Sequence, residues 1–123
     1  MATILLVEDD KNQQLLFGEE LREEGFEVLV VGTGEEAIET VKKSAPDLVV
    51  LDVAMPGMDG IEVLGRILGE DHRLPVILHT AYSTYKDNFM TWAADAYVVK
   101  SGDLSALKAE IKRVLQKRGK PQS

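Results

Sequence analysis

The run Leu48-Val49-Val50-Leu51 narrows the fold more than any other stretch of this chain. A strand with one face in water alternates apolar and polar residues. This run does not alternate, so it reads as a strand buried on both faces. Such a strand needs a covering layer on each side, the arrangement of a parallel sheet between helices. The run ends on Asp52, and the turn-rich segment Met55-Pro56-Gly57-Met58-Asp59-Gly60 follows closely. Asp52 therefore stands at the C-terminal edge of a buried parallel strand, where open α/β sheets place their chemistry. Taken alone, it is equally well a strand-end cap or the first residue of a turn.

The rest of the chain supplies the layers. Residues 3–7 (Thr-Ile-Leu-Leu-Val), 26–31, 75–79 and 95–99 are further short runs with strand character. Pro75 is tolerated at a first strand position. Between the strands lie helical patterns over 11–24, 35–44, 59–69, 83–93 and 103–117. Their expected inward residues are Leu15, Phe17 and Leu21; Ala37, Ile38 and Val41; Ile61, Leu64, Ile67 and Leu68; and Leu104, Leu107, Ile111, Val114 and Leu115. Gly25 suits the end of the first helix and Pro46 blocks continuation of the second. The segment 83–93 has the weakest helical signal, with Phe89, Met90 and Trp92 as its apolar side. Five strands, each followed by a helix, predict a (βα)5 doubly wound, all-parallel five-stranded α/β sheet with right-handed crossovers. One domain over 1–119 is expected, with a disordered tail over 120–123.

Composition removes several classes. Of 123 residues, 14 are basic and 21 acidic, a net charge of −7, which disfavours direct nucleic-acid binding and an anionic membrane surface. The absence of cysteine excludes disulfides, thiolate metal sites and a cysteine nucleophile. No secretory signal and no apolar run of membrane-spanning length is visible, so a soluble cytoplasmic domain is expected. Residue 123 comes soon after the last helix, so no output domain is expected in this chain.

The strand ends converge on one edge. The first delivers Glu8-Asp9-Asp10, the third Asp52, the fourth Thr80 and the fifth Lys100. Each has an ordinary alternative: solvated acids with Asp10 capping the next helix, a β-branched strand end, a solvated lysine. Together they put carboxylates suited to a hard divalent cation beside a hydroxyl and an ammonium suited to an anion. Phosphoryl transfer needs that combination, with Asp52 as the nucleophile.

Over most of its length the chain resembles a two-component response-regulator receiver (CheY-like) domain. The resemblance is carried by Val7-Glu8-Asp9-Asp10, Leu51-Asp52, Met55-Pro56-Gly57-Met58-Asp59-Gly60, Val76-Ile77-Leu78-His79-Thr80-Ala81, Tyr97 and Lys100. It implies the flavodoxin-like strand order 2-1-3-4-5. It implies Asp52 as phosphoacceptor, with Mg2+ held by Asp9, Asp10, Asp52 and the Ala54 carbonyl. Thr80, the Ala81 N–H and Lys100 would bind the phosphoryl group, and Thr80 and Tyr97 would act as the switch. The implied donor is a histidine kinase or histidine phosphotransfer protein. The implied output is a change in the face formed by residues 83–93, the fifth strand and the last helix, read by a downstream effector or by a phosphorylation-dependent homodimer.

Two departures from the family pattern stand out, beside two positions, Ala54 and Tyr82, that vary within the family. Ser101 follows Lys100 where a cis-proline is usual, and a cis bond before a non-proline costs about 2.5–4 kcal/mol. Ala93-Ala94-Asp95-Ala96-Tyr97 replaces the common Gly-Ala-x-x-Tyr. Ala54 cannot orient an attacking water and Tyr82 could shield one, so slow self-dephosphorylation is expected. His79 reads as a packed core histidine and His72 as exposed loop. A haloacid-dehalogenase-type phosphohydrolase is the enzyme rival, but it wants a second Asp where Ala54 stands. A nucleotide-binding flavodoxin-like module would want a phosphate loop where the three acids stand. An unphosphorylated, docking-only receiver is the third alternative.

Overall fold

The computed structural model describes residues 1–55, 57, 59–81 and 93–119. The predicted helix over 83–93 lies outside them except for Ala93, as do Tyr82 and the tail 120–123. The strands are β1 (Thr3–Val7), β2 (Glu27–Val31), β3 (Leu48–Leu51), β4 (Val76–Thr80) and β5 (Ala96–Val99). The described helices are α1 (Lys11–Glu23), α2 (Gly34–Ser44), α3 (Gly60–Glu70) and α4 (Ser105–Lys117). All strand pairs are parallel, in the order β2-β1-β3-β4-β5.

Every β3 residue is buried, as the lack of alternation requires. Its side chains serve two cores. Leu48 and Val50 join Ile4, Leu6 and Ile77 against Phe17 and Leu21 of α1 and Leu107, Ile111, Val114 and Leu115 of α4. Val49 and Leu51 join Leu5, Val7, Val76 and Leu78 against Ala37, Ile38 and Val41 of α2 and Val63, Leu64 and Ile67 of α3. At roughly 1.5–3 kcal/mol for each fully buried aliphatic side chain, these two layers are the main favourable contribution to folding.

Helix starts follow local chemistry. Asp10 Oδ1 accepts from the Gln13 N–H at 3.0 Å, Thr33 Oγ1 from the Glu36 N–H at 3.1 Å, and Asp59 Oδ1 from the Ile61 and Glu62 N–H groups at 3.1 and 3.2 Å. Gly25 takes φ 96°, beyond the end of α1, which a residue with a Cβ adopts only at a cost.

One expected core residue is not in the core. Leu15 is 67% exposed, whereas Phe17 and Leu21 are buried. At about 100° per residue, two positions from Phe17 carry Leu15 round to the opposite side of α1. Val63 takes a buried place on α3 that the sequence reading did not give it, while Ile61 and Leu68 pack only partly.

Register sets the site edge. Val7 pairs with Leu51, Leu51 with Leu78, and Leu78 with Tyr97 across four neighbouring strands. Glu8, Asp52 and His79 therefore each stand one residue past a common rung.

Candidate functional site

Lys100 lies two strands from Asp52, with β4 between them. Its backbone N–H donates to the Thr80 carbonyl at 2.7 Å, fixing the start of the side chain. The ammonium then reaches across the strand ends. Nζ donates to Asp52 Oδ2 at 2.8 Å, to Glu8 Oε1 at 2.6 Å and to Gln13 Oε1 at 2.6 Å. The Lys100 side chain is only 13% exposed. The Phe17 ring lies beneath it, 5.8 Å from Nζ to the centroid, and packs against His79 at 5.1 Å. Among the described residues no peptide bond is cis, so the Lys100–Ser101 bond is trans while the Lys100 side chain pairs with Asp52. The serine departure does not prevent the ion pair.

Asp52 is buried and both its oxygens are engaged. Oδ1 accepts from the Ala54 N–H at 2.9 Å while Oδ2 faces Lys100. Glu8 is deeper still, with Oε1 on Lys100 and Oε2 accepting from the Asp10 N–H at 3.1 Å. Glu8, Asp9 and Asp52 each bring one carboxylate oxygen within 4.8 Å of the others. Asp9 is the exposed member.

The structure separates the three consecutive acids. The resemblance implies Asp10 beside Asp9 as a metal ligand. In the structure it is exposed and its Oδ1 caps α1, and Glu8 takes the inner place. Glu8 follows Val7 as Asp52 follows Leu51, an acid directly after an apolar run, and that parallel was the signal available for it. Gln13 was not foreseen at all. Asp10 three residues before it suggests only a capping role.

Thr80 is fully buried at the end of β4, one residue beyond His79 on the same edge. Ala81 follows it and is exposed. Tyr97 is half-buried on β5, opposite Leu78, and packs on the α2–α3 side core.

The charges explain one another. Burial raises the Glu8 pKa, and the hydrogen bond from Lys100 only partly opposes this. Burial lowers the Lys100 pKa, but the carboxylates of Asp52 and Glu8 outweigh it, so the ammonium is held above its usual range. Three carboxylates share this edge with one ammonium, a donor set suited to a divalent cation. Burial, assisted by the Lys100 charge, lowers the His79 pKa to about 4, which makes it the neutral packing residue the sequence suggested.

A doubly wound 2-1-3-4-5 sheet with acids, a hydroxyl and a lysine on its C-terminal edge is the architecture of a phosphoacceptor module. The model of the response regulator receiver domain matches residues 4–112, and the chain belongs to that family. It is similar to the transcriptional regulatory protein AfsQ1 of Streptomyces coelicolor, at 38% identity over 95% of this chain and 52% of the relative. It is also similar to TrrA of Thermotoga maritima, solved in complex with Mg2+-BeF. That likeness is 44% identity and TM-score 0.90, over 94% of this chain and 100% of that one. The structure of the histidine kinase ThkA in complex with TrrA gives TM-score 0.87 at 44% identity, over 94% of this chain and 99% of that one. The chain spans about half the length of the first curated relatives it matches. Among the described residues, no helix is long and apolar enough to cross a membrane.

Proposed function

We propose that Asp52 is the phosphoacceptor of this receiver and takes a phosphoryl group from the phosphohistidine of a histidine kinase or histidine phosphotransfer protein. One observation carries the reading: Lys100 reaches one Asp52 carboxylate oxygen across β4, the Ala54 N–H holds the other, and Asp52 shares a metal-ligand grouping with Glu8 and Asp9. An Asp52 oxygen forms the new P–O bond, the P–N bond of the donor breaks, and the leaving imidazole takes up a proton. Lys100 then exchanges its Asp52 contact for a phosphoryl oxygen, which keeps the ammonium paired as two negative charges arrive. Thr80 and the Ala81 N–H bind the remaining phosphoryl oxygens. Thr80 and Tyr97 carry the change outward to β5, α4 and residues 83–93.

The donor set fits Mg2+. Glu8, Asp9, Asp52 and the Ala54 carbonyl are hard oxygen donors and leave the negative charge such an ion balances. When bound, Mg2+ would neutralise the oxygens of the transferring phosphoryl group. Asp10 would act through the α1 cap. TrrA, solved with Mg2+-BeF, supports this assignment.

Further details follow from the same reading. Residues 1–119 form one receiver domain in the cytoplasm. It has no catalytic activity on other molecules beyond accepting and slowly losing its own phosphoryl group. Ala54 has no polar side chain to orient a hydrolytic water, which favours slow loss. The downstream partner is an effector protein or a second phosphorylated copy.

Intact-mass measurement after incubation with acetyl phosphate and Mg2+ tests the core of this. The expected result is a single Mg2+-dependent phosphoryl adduct, absent from Asp52→Asn. No adduct under any condition would overturn the reading in favour of a docking-only receiver. Turnover of many equivalents of donor would favour a phosphohydrolase.

A further inference from the structure

We propose that Gln13 is a positioning residue for phosphoryl transfer, its amide oxygen holding the Lys100 ammonium against Asp52. The proposal rests on the phosphoacceptor reading but comes from a different part of the molecule, the first turn of α1.

An ammonium has three N–H donors. At Lys100 all three are used, on Glu8, Asp52 and Gln13. Two acceptors are charged, and one of these, Asp52, is the group that changes chemically. Gln13 is the only neutral one. Its bond at 2.6 Å is to an amide oxygen whose own charge neither phosphorylation of Asp52 nor a cation on the acids changes. Gln13 therefore gives Lys100 a fixed third contact while its carboxylate contacts are remade.

The local hydrogen bonding shows why Gln13 is available. It lies three residues after the Asp10 N-cap, where a Gln ordinarily reaches back to the N-cap N–H. Here Glu8 Oε2 accepts from that N–H at 3.1 Å. The backbone N–H of Gln13 remains on Asp10 Oδ1 at 3.0 Å, so the start of the side chain is fixed by the cap. The amide oxygen is thereby released from capping and aimed at the site. Gln14 ties the same turn to β1 by donating from Nε2 to the Glu8 carbonyl at 2.6 Å. The first turn of α1 is thus built into the strand-end cluster, and Gln13 passes that rigidity to Lys100.

Two variants separate positioning from folding. Gln13→Met keeps length and apolar bulk but removes the acceptor. Gln13→Glu keeps an acceptor oxygen at the same reach. In wild type the Lys100 ammonium should give a protected 15Nζ resonance, identified by its loss in Lys100→Arg. Gln13→Met should broaden or lose that resonance while the melting temperature and the backbone amide spectrum outside α1 remain wild-type. Gln13→Glu should retain it. At saturating Mg2+, the phosphorylation rate from acetyl phosphate should fall about three- to tenfold in Gln13→Met, the effect of one lost hydrogen bond. A resonance and a rate unchanged in Gln13→Met, with the Asp52 adduct forming normally, would overturn the role of Gln13 alone. An equal loss of resonance in Gln13→Glu would also overturn it, because the acceptor is then irrelevant. If wild type forms no adduct, the phosphoacceptor reading fails, and the resonance still decides whether Gln13 holds Lys100.

Discussion

His79 stands one residue from Thr80 on the site edge, yet its surroundings make it a packing group. It is buried against Phe17, and burial lowers its pKa from 6.5 to about 4. Between these values the unfolded chain binds a proton that the folded protein refuses. Stability therefore rises with pH across the window and is lost as pH falls from about 6.5 toward 4. The full loss is roughly 3 kcal/mol. Glu8 works in the other direction, since its raised pKa adds stability as pH falls. Comparison with His79→Leu isolates the histidine. Urea denaturation at pH 7 and pH 4.5 should show a smaller pH-dependent loss in the variant, and equal losses would refute the assignment. Residue roles were unevenly legible in the sequence. Asp52 and Lys100 stand directly after apolar runs and Thr80 after His79 at the end of one, so the chain alone marks all three as strand-end candidates. Glu8 and Asp10 are harder to tell apart, because three acids in a row look alike until one turns inward and another caps a helix.

At the scale of elements, the link from β3 to α3 shows how a helix start can be set by close backbone approach. Asp59 caps α3, and Gly60 begins it against Val53. A Cβ at Gly60 would fall 2.3 Å from Val53 Cα and 2.4 Å from its carbonyl oxygen. Backbone cannot yield as a side chain tip can, so Gly60→Ala should push α3 away from the sheet. A destabilisation of about 2–3 kcal/mol is expected by chemical denaturation, at the upper end for overpacking. A loss below about 0.5 kcal/mol would show that the loop absorbs the methyl group. The elements themselves were legible because their periods are strong: β3 is buried throughout, and α4 buries Leu107, Ile111, Val114 and Leu115 as its spacing predicts. The misplaced Leu15 has the opposite cause. α1 carries apolar residues on more than one side, so its pattern alone does not say which side meets the sheet.

At the scale of the whole molecule, the fold gathers three acids from two separate segments at one end of the sheet. Acids from β1 and β3 face a single ammonium from beyond β5, so the folded state carries repulsion that a bound cation relieves. Mg2+ should raise the melting temperature in a concentration-dependent way, since ligand bound only by the folded state stabilises by about 2.7 kcal/mol at 100 times its dissociation constant. Asp9→Asn should reduce the shift without altering the fold, and Asp10→Asn, which keeps a capping oxygen, should leave it largely intact. A shift abolished equally by both variants would return Asp10 to the cation site. The parallel α/β architecture, the family and the candidate site residues at the strand ends are legible in the chain alone, because apolar periodicity and residue type are properties of local segments. That Glu8 lies inside and Asp10 outside, that Leu15 faces out, and that Gln13 meets Lys100 emerges only in the folded molecule. Those facts depend on register between strands and on the rotation of α1 against the sheet, and distances between residues far apart in the chain exist only once it has folded.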